Sequence, residues 1–153
     1  MWEDDDDDED NDFDPEEERK KLQALPIYQK AEEILELTER IVNLFESGGT
    51  EEMHKSIMLE DAMILQVKIA GAQAMDDYIL KMENAVVIKI HARNLLATTA
   101  SLKYMETIDT RYLQLLRDEI EAFRVLFLKW VDTFQIDTTK DPDGWGLFVP
   151  EKD

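Results

Sequence analysis

The chain has 153 residues, 44% of them hydrophobic, which is enough for one domain with a real core and argues against global disorder. It contains no cysteine, so disulfides, thiolate nucleophiles and Cys-based zinc or iron–sulfur centres are excluded. The formal charge of −19 argues against direct nucleic-acid binding, because phosphate contacts need clustered Lys and Arg.

That charge is unevenly spread. Residues 1–21 hold thirteen acids against Arg19, Lys20 and Lys21, a net of −10, whereas residues 22–136 hold eighteen acids and twelve bases, a net of −6. The acidic character belongs mainly to the N-terminal segment, MWEDDDDDEDNDFD, which is low in complexity and self-repelling and is expected to be disordered. Such a run serves either as a solubilising tail or as a dock for a basic protein partner, competing there with nucleic acid. Asp14-Pro15-Glu16-Glu17-Glu18 carries a helix-start pattern, so 1–24 reads as an acidic tail, disordered or partly helical.

Pro26 lacks an amide proton and interrupts any helix continuing through it. A first bundle helix is expected from Pro26 to about Glu46, with Ile27, Ala31, Ile34, Thr38, Ile41 and Phe45 along one stripe. Gly48-Gly49 ends it, and Thr50 is the expected cap of the next helix, with Glu51 and Glu52 at its positive end. That second helix is apolar nearly all round (Ile57, Met58, Ala62, Met63, Leu65, Val67), so it is covered from several sides or meets another subunit. Gly71-Ala72-Gln73-Ala74 offers a reversal, although the absence of proline between Glu51 and Asp109 also permits one long helix. Asp76 is the expected cap of a third helix, about Asp77 to Lys103, and a fourth follows the link Met105–Asp109 with Leu113, Leu116, Ile120, Phe123, Phe127 and Trp130 in register. Leu115, Val125, Leu126 and Leu128 widen its apolar seam beyond one face.

Few alternating Val/Thr-rich runs occur, so the fold class is all-α: an antiparallel up-down four-helix bundle over 25–136, with the disordered acidic N-terminal tail before it and a non-helical C-terminal tail, 137–153, after it. No apolar run approaches the ~20 residues of a membrane span and no secretory leader opens the chain, so a cytoplasmic protein without membrane contact is expected.

Catalytic patterns are sparse. Glu51-x-x-His54 matches half of a di-iron pattern, but the other histidine, His91, has Ile88 three residues before it. Serine occurs only at positions 47, 56 and 101, with no nucleophile elbow or phosphate loop around any of them. Glu60-Asp61 interrupts an apolar run and reads as a solvent-facing gap, or else as a perturbed acid pair. Asn84, His91 and Asn94 form a polar streak that is solvated or lines an interface. No catalytic residue, metal or cofactor is assigned, and a non-enzymatic protein is expected.

The tail Asp141-Pro142-Asp143-Gly144-Trp145-Gly146-Leu147-Phe148-Val149-Pro150 opens with turn chemistry and then places four apolar side chains where no helix can form. Trp145, Leu147, Phe148 and Val149 are therefore interaction candidates, together with Leu115, Leu126 and Trp130 of the last helix. They pack either on their own bundle near Trp130 and Phe134 or on a neighbouring subunit.

Tyr28-Gln29-Lys30-Ala31, the small-residue turn Ile69-Ala70-Gly71-Ala72 and Tyr78-Ile79 give the chain a resemblance, over roughly 27–135, to the bacterial four-helix-bundle family of the ribosomal-RNA intervening-sequence protein and the accessory variability determinant. The resemblance implies an up-down bundle and a ring-forming homo-oligomer, commonly a pentamer. The accessory protein also binds nucleic acid through a basic surface, which the −6 of this helical region does not provide. Met82-Glu83-Asn84-Ala85 and Asp143-Gly144-Trp145-Gly146-Leu147-Phe148 also resemble a bacterial group without an assigned activity, which implies a shared fold alone. The expected role is an oligomerising or adaptor bundle. The alternatives are an acidic regulator of a basic partner and, behind it, a metal- or small-molecule-dependent enzyme.

Overall fold

The computed structural model describes residues 13–106 and 108–150. Among them the protein is all-α, with five α-helices, one short 3-10 turn and no strand. The acidic run 1–12 and residues 151–153 lie outside the described residues.

Helix α1 spans Pro15–Ala24. Asp14 Oδ1 accepts the amide of Glu16 at 3.0 Å, Pro15 occupies a position whose amide would be unpaired anyway, and Glu16, Glu17 and Glu18 face the helix's positive end. None of its residues is fully buried, but Leu22 and the following Leu25 rest against the core. Leu25 is extended (ψ 125°) before Pro26, as the proline ring demands of its predecessor, and this separates α1 from α2, Pro26–Val42.

Helix α2 buries Ile27, Ala31, Ile34, Thr38, Ile41 and Val42. The hydroxyl of Thr38 reaches solvent nowhere and donates to the Ile34 carbonyl at 2.7 Å, which satisfies it inside the stripe. The helix ends four residues before the expected Glu46. The amides of Leu44 and Phe45 bond three residues back, to Ile41 and Val42, and the tightened turn swings Phe45 onto the core.

Between α2 and α3 the sequence expectation needs correction. Thr50 does not cap a helix: it opens a 3-10 turn, Thr50–His54, that has no side-chain cap. Glu51 and Glu52 reach backwards instead. The Glu51 carboxylate is buried and accepts the amide of Glu46 at 3.3 Å, and Glu52 accepts the amide of Gly48. Gly48 has φ +80°, and a Cβ on Gly49 would lie 2.8 Å from Glu51 Oε2, so each glycine here has its own reason.

Helix α3, Lys55–Gln73, runs straight through Gly71. A Cβ there would stand 3.4 Å from Asn84 Nδ2, an ordinary contact, so the helix accommodates this glycine without needing it. The reversal falls instead at 74–77, and Asp77, not Asp76, caps α4 by accepting the amide of Leu80 at 3.1 Å. Helix α4 runs Tyr78–Met105 and stops at Glu106 in the left-handed conformation. Asp109 then caps α5, Thr110–Val131, by accepting the amide of Arg111 at 2.9 Å. The Arg111 guanidinium closes back on the same carboxylate and holds the Asp109 pKa down at about 2.

Helix α2 packs on α3 and α5, α4 packs on the same two, and α1 contacts α2. Leu25, Pro26 and Ile27 share one hollow with Gln73, Leu126 and Trp130, so the start of α2 sits beside the ends of α3 and α5. The enclosed core runs from Ile34 and Met58 through Leu65, Ile88 and Leu95 to Leu116 and Phe123. At its end Trp130 stands edge-on to Phe134 with centroids 4.8 Å apart, and its indole N–H donates to Gln73 Oε1 at 2.9 Å.

Candidate interaction surface

Among the exposed apolar features of the described residues, three bear on association. The first is the outer face of α3. Met58, Ala62, Leu65, Ile69 and Ala72 point inward at helical spacing, and the same helix turns Ile57, Met63 and Val67 outward. Met63 is 51% and Val67 61% exposed, one turn apart on a helix whose inward stripe is already satisfied.

The second is a hollow of about 400 Å³ between α4 and α5. Ala92 is the small residue that opens it: a short side chain on α4 faces Phe123 and Phe127, which stand one turn apart on α5. Leu96, Ile120 and Leu128 complete an apolar floor. Lys89 and Arg93, one turn apart on α4, and Arg124 and Glu121 on α5 form its rim, three cations and one acid. Arg124 is tied to Glu121, whereas Lys89 and Arg93 enter no ion pair among the described residues. Further along the same pair of helices lies a more polar hollow lined by Lys103, Arg111 and Arg117. There Arg117 donates to Thr99 Oγ1 at 2.9 Å and to the Leu96 carbonyl, pinning α5 to α4. Cations thus line both hollows of this helix pair, although Arg111 is paired with Asp109 and Arg124 with Glu121.

The third feature is the C-terminal segment. Asp141 holds the turn, its two carboxylate oxygens accepting the amides of Gly144 at 3.1 Å and Gly146 at 3.0 Å. Asp143 accepts the amide of Trp145 at 3.2 Å. Gly144 and Gly146 have φ of +76° and +74°, which glycine adopts without steric cost. This local network turns Trp145 outward, 84% exposed, with Leu147 and Phe148 also exposed and Val149 half-buried.

The remaining sequence candidates separate by exposure. Leu115 is exposed on α5, Leu126 is half-buried beside the start of α2, and Trp130 is enclosed in the core, where its ring and its N–H both have partners. Trp130 is therefore a core residue that supports the surface from behind.

Sequence reasoning missed one polar constellation. Asp61 does not face solvent; it is buried at the α3–α4 contact, and His91 Nδ1 stands 2.7 Å from its Oδ1. Its other oxygen, Oδ2, is buried without a hydrogen-bond partner among the described residues. Burial pushes the Asp61 carboxyl above the ordinary aspartate value, the His91 hydrogen bond opposes that shift, and the charge of neighbouring Glu60 adds to it. Neither Asp61 nor His91 lines any of these three hollows. Among the described residues no three His, Asp or Glu side chains gather as a metal ion requires, and Glu51 of the half-pattern is turned into the preceding loop. No helix among them is long and apolar enough to cross a membrane. No family model, no curated protein and no solved structure matches this chain.

Proposed function

We propose that α2–α5 form an up-down four-helix bundle that acts without catalysis, as a self-associating scaffold or adaptor. The observation that carries this reading is the outer face of α3, where Met63 and Val67, one turn apart, stay exposed opposite the inward stripe, with Ile57 exposed at its flank. A surface helix with a satisfied inner face has no folding reason to be apolar on its outer one, and exposed contiguous apolar surface marks sites of association. The resemblance of the Tyr28–Ala31 and Ile69–Ala72 segments to ring-forming bundles supports the same reading. The acidic N-terminal residues then act as a solubilising tail and as a dock for a basic protein partner, a reading supported by the net −10 of residues 1–21.

The test is the mass in solution of the full chain. Light scattering at micromolar concentration is expected to give a multiple of 17.9 kDa. The double variant M63E/V67E is expected to lower that mass while helical content and melting temperature hold. A wild-type chain that scatters as a monomer defeats the proposal.

A further inference from the structure

We infer that the C-terminal segment Asp141–Val149 of one copy seats in the α4/α5 hollow of a second copy, in a head-to-tail contact. The inference rests on the self-association proposed above and gives it a second, directional interface.

The two surfaces match in chemistry. The hollow offers an apolar floor of Leu96, Phe123, Phe127 and Leu128 beneath two cations, Lys89 and Arg93, that have no ion-pair partner among the described residues. Its guest must be apolar at the centre and anionic at the edge. The segment carries Trp145, Leu147 and Phe148 as projecting apolar groups, with Asp141 and Asp143 just before them. At about 400 Å³ the hollow is of the size that takes one large aromatic group and part of another.

The local geometry favours a second copy over the chain's own hollow. Asp141 and Asp143 fix the turn through three backbone amides, and the fixed turn shows Trp145 to solvent while the hollow of the same chain stands open. Docking in trans uses the segment as it stands, its turn already held by that network, with little ordering cost.

Size decides how the contact is used. With Trp145 84% and Phe148 41% exposed, the two can bury on the order of 300 Å² of the guest and about twice that over both partners, below the ~1,000 Å² total of a stable interface unless the rim and Leu147 join fully. The contact is thus a weak one that works alongside the α3 face. Because hollow and segment are different surfaces, the contact is heterologous, and repetition closes a ring or extends a filament.

The test uses two full-length variants and their mixture: W145A/F148A, which disables the segment, and R93E/L128E, which disables the hollow through two side chains at its surface. Each alone is expected to scatter at lower mass than wild type with unchanged helical content and melting temperature. An equimolar mixture is expected to form a complex larger than either variant forms alone, because one intact segment then meets one intact hollow. Acetylation of Lys89 is expected to be slow in wild type and fast in W145A/F148A.

A mixture that regains no mass overturns the inference. An oligomer indifferent to both variants but dissociated by M63E/V67E also overturns it and leaves the scaffold reading standing, while a monomeric wild type overturns both. Protection of Lys89 that is lost on removing residues 1–12, and kept in W145A/F148A, assigns the hollow to the acidic N-terminal segment and overturns it equally.

Discussion

His91 Nδ1 lies 2.7 Å from Asp61 Oδ1, across the contact of α3 with α4, and the second oxygen of that buried carboxylate has no partner among the described residues. The folded-state pKa of Asp61 is raised above 3.8, with burial as the largest cause. A carboxyl shifted upward contributes stability that is fully present below its unfolded pKa, about pH 4, and is lost as pH rises through the folded value. At neutral pH the ionised group is therefore a net cost that the His91 bond only partly offsets. H91A is expected to lose about 1–3 kcal/mol at pH 7, because it leaves a buried carboxylate with no partner at all. The loss should shrink as pH falls through the raised folded value, where the carboxyl takes up a proton. D61N should match or exceed wild-type stability at pH 7. Urea midpoints at pH 7 and in acid check all three statements, and a D61N variant clearly less stable than wild type at pH 7 contradicts the assignment.

The Trp130 indole is held by a 2.9 Å bond to Gln73 and an edge-on contact with Phe134, whose ring also lies under Lys81 Nζ at 5.1 Å. W130A is expected to cost about 3–5 kcal/mol, chiefly through the cavity it leaves. Q73A, which removes only the acceptor at the protein's edge, should cost about 1 kcal/mol. Thermal melts of the two variants compare them directly. Equal losses would mean that the hydrogen bond, rather than ring packing, carries this end of the core.

How far the fold was legible depended on how local its causes were. The Asp14 cap and the break at Pro26 are visible from sequence because cap, proline and helix lie within four residues of one another. Gly71 misleads because glycine often ends helices, yet α3 runs through it to Gln73, and glycine inside a helix lowers propensity without breaking it. Glu51 and Glu52 look like ordinary acids at a helix's positive end, and the amides they actually bind lie four or five residues earlier. The Asp61–His91 pair spans thirty positions and depends on the register of α3 against α4, which no local pattern encodes. The cationic rim left a faint trace, since Lys89 and Arg93 lie one turn apart around the small Ala92. Its significance appears only when Phe123 and Phe127 of α5 are opposite.

The loop between α2 and the 3-10 turn depends on two glycines for different reasons, and substitution should separate them. Gly48, at φ +80° with open space around it, meets only backbone strain, so G48A should cost about 1 kcal/mol and G48N less. Gly49 has an ordinary φ, but an added Cβ would lie 2.8 Å from the buried Glu51 carboxylate. G49A must therefore displace that carboxylate from the Glu46 amide, and pairing it with E51A should recover part of the loss. Denaturation of G49A, E51A and the double variant gives the coupling energy. Strictly additive losses would show that the two sites do not touch.

Thr99 is fully buried on α4, and its hydroxyl both donates to the Leu96 carbonyl at 2.6 Å and accepts from Arg117 at 2.9 Å. One oxygen thus links the backbone of α4 to a side chain of α5. T99V keeps the shape and removes both bonds, leaving Arg117 with the single contact to the Leu96 carbonyl at 3.3 Å. The expected cost is about 1–3 kcal/mol, the upper part reflecting a charged donor that loses its better acceptor. T99S restores the hydroxyl without the methyl, so it should return the polar part of the loss and keep a smaller packing deficit. R117M should cost less than T99V, because the methionine removes the charged group whose partner was lost and Thr99 keeps its bond to Leu96. If T99S is as unstable as T99V, the methyl group rather than the hydroxyl holds α4 to α5 at this level.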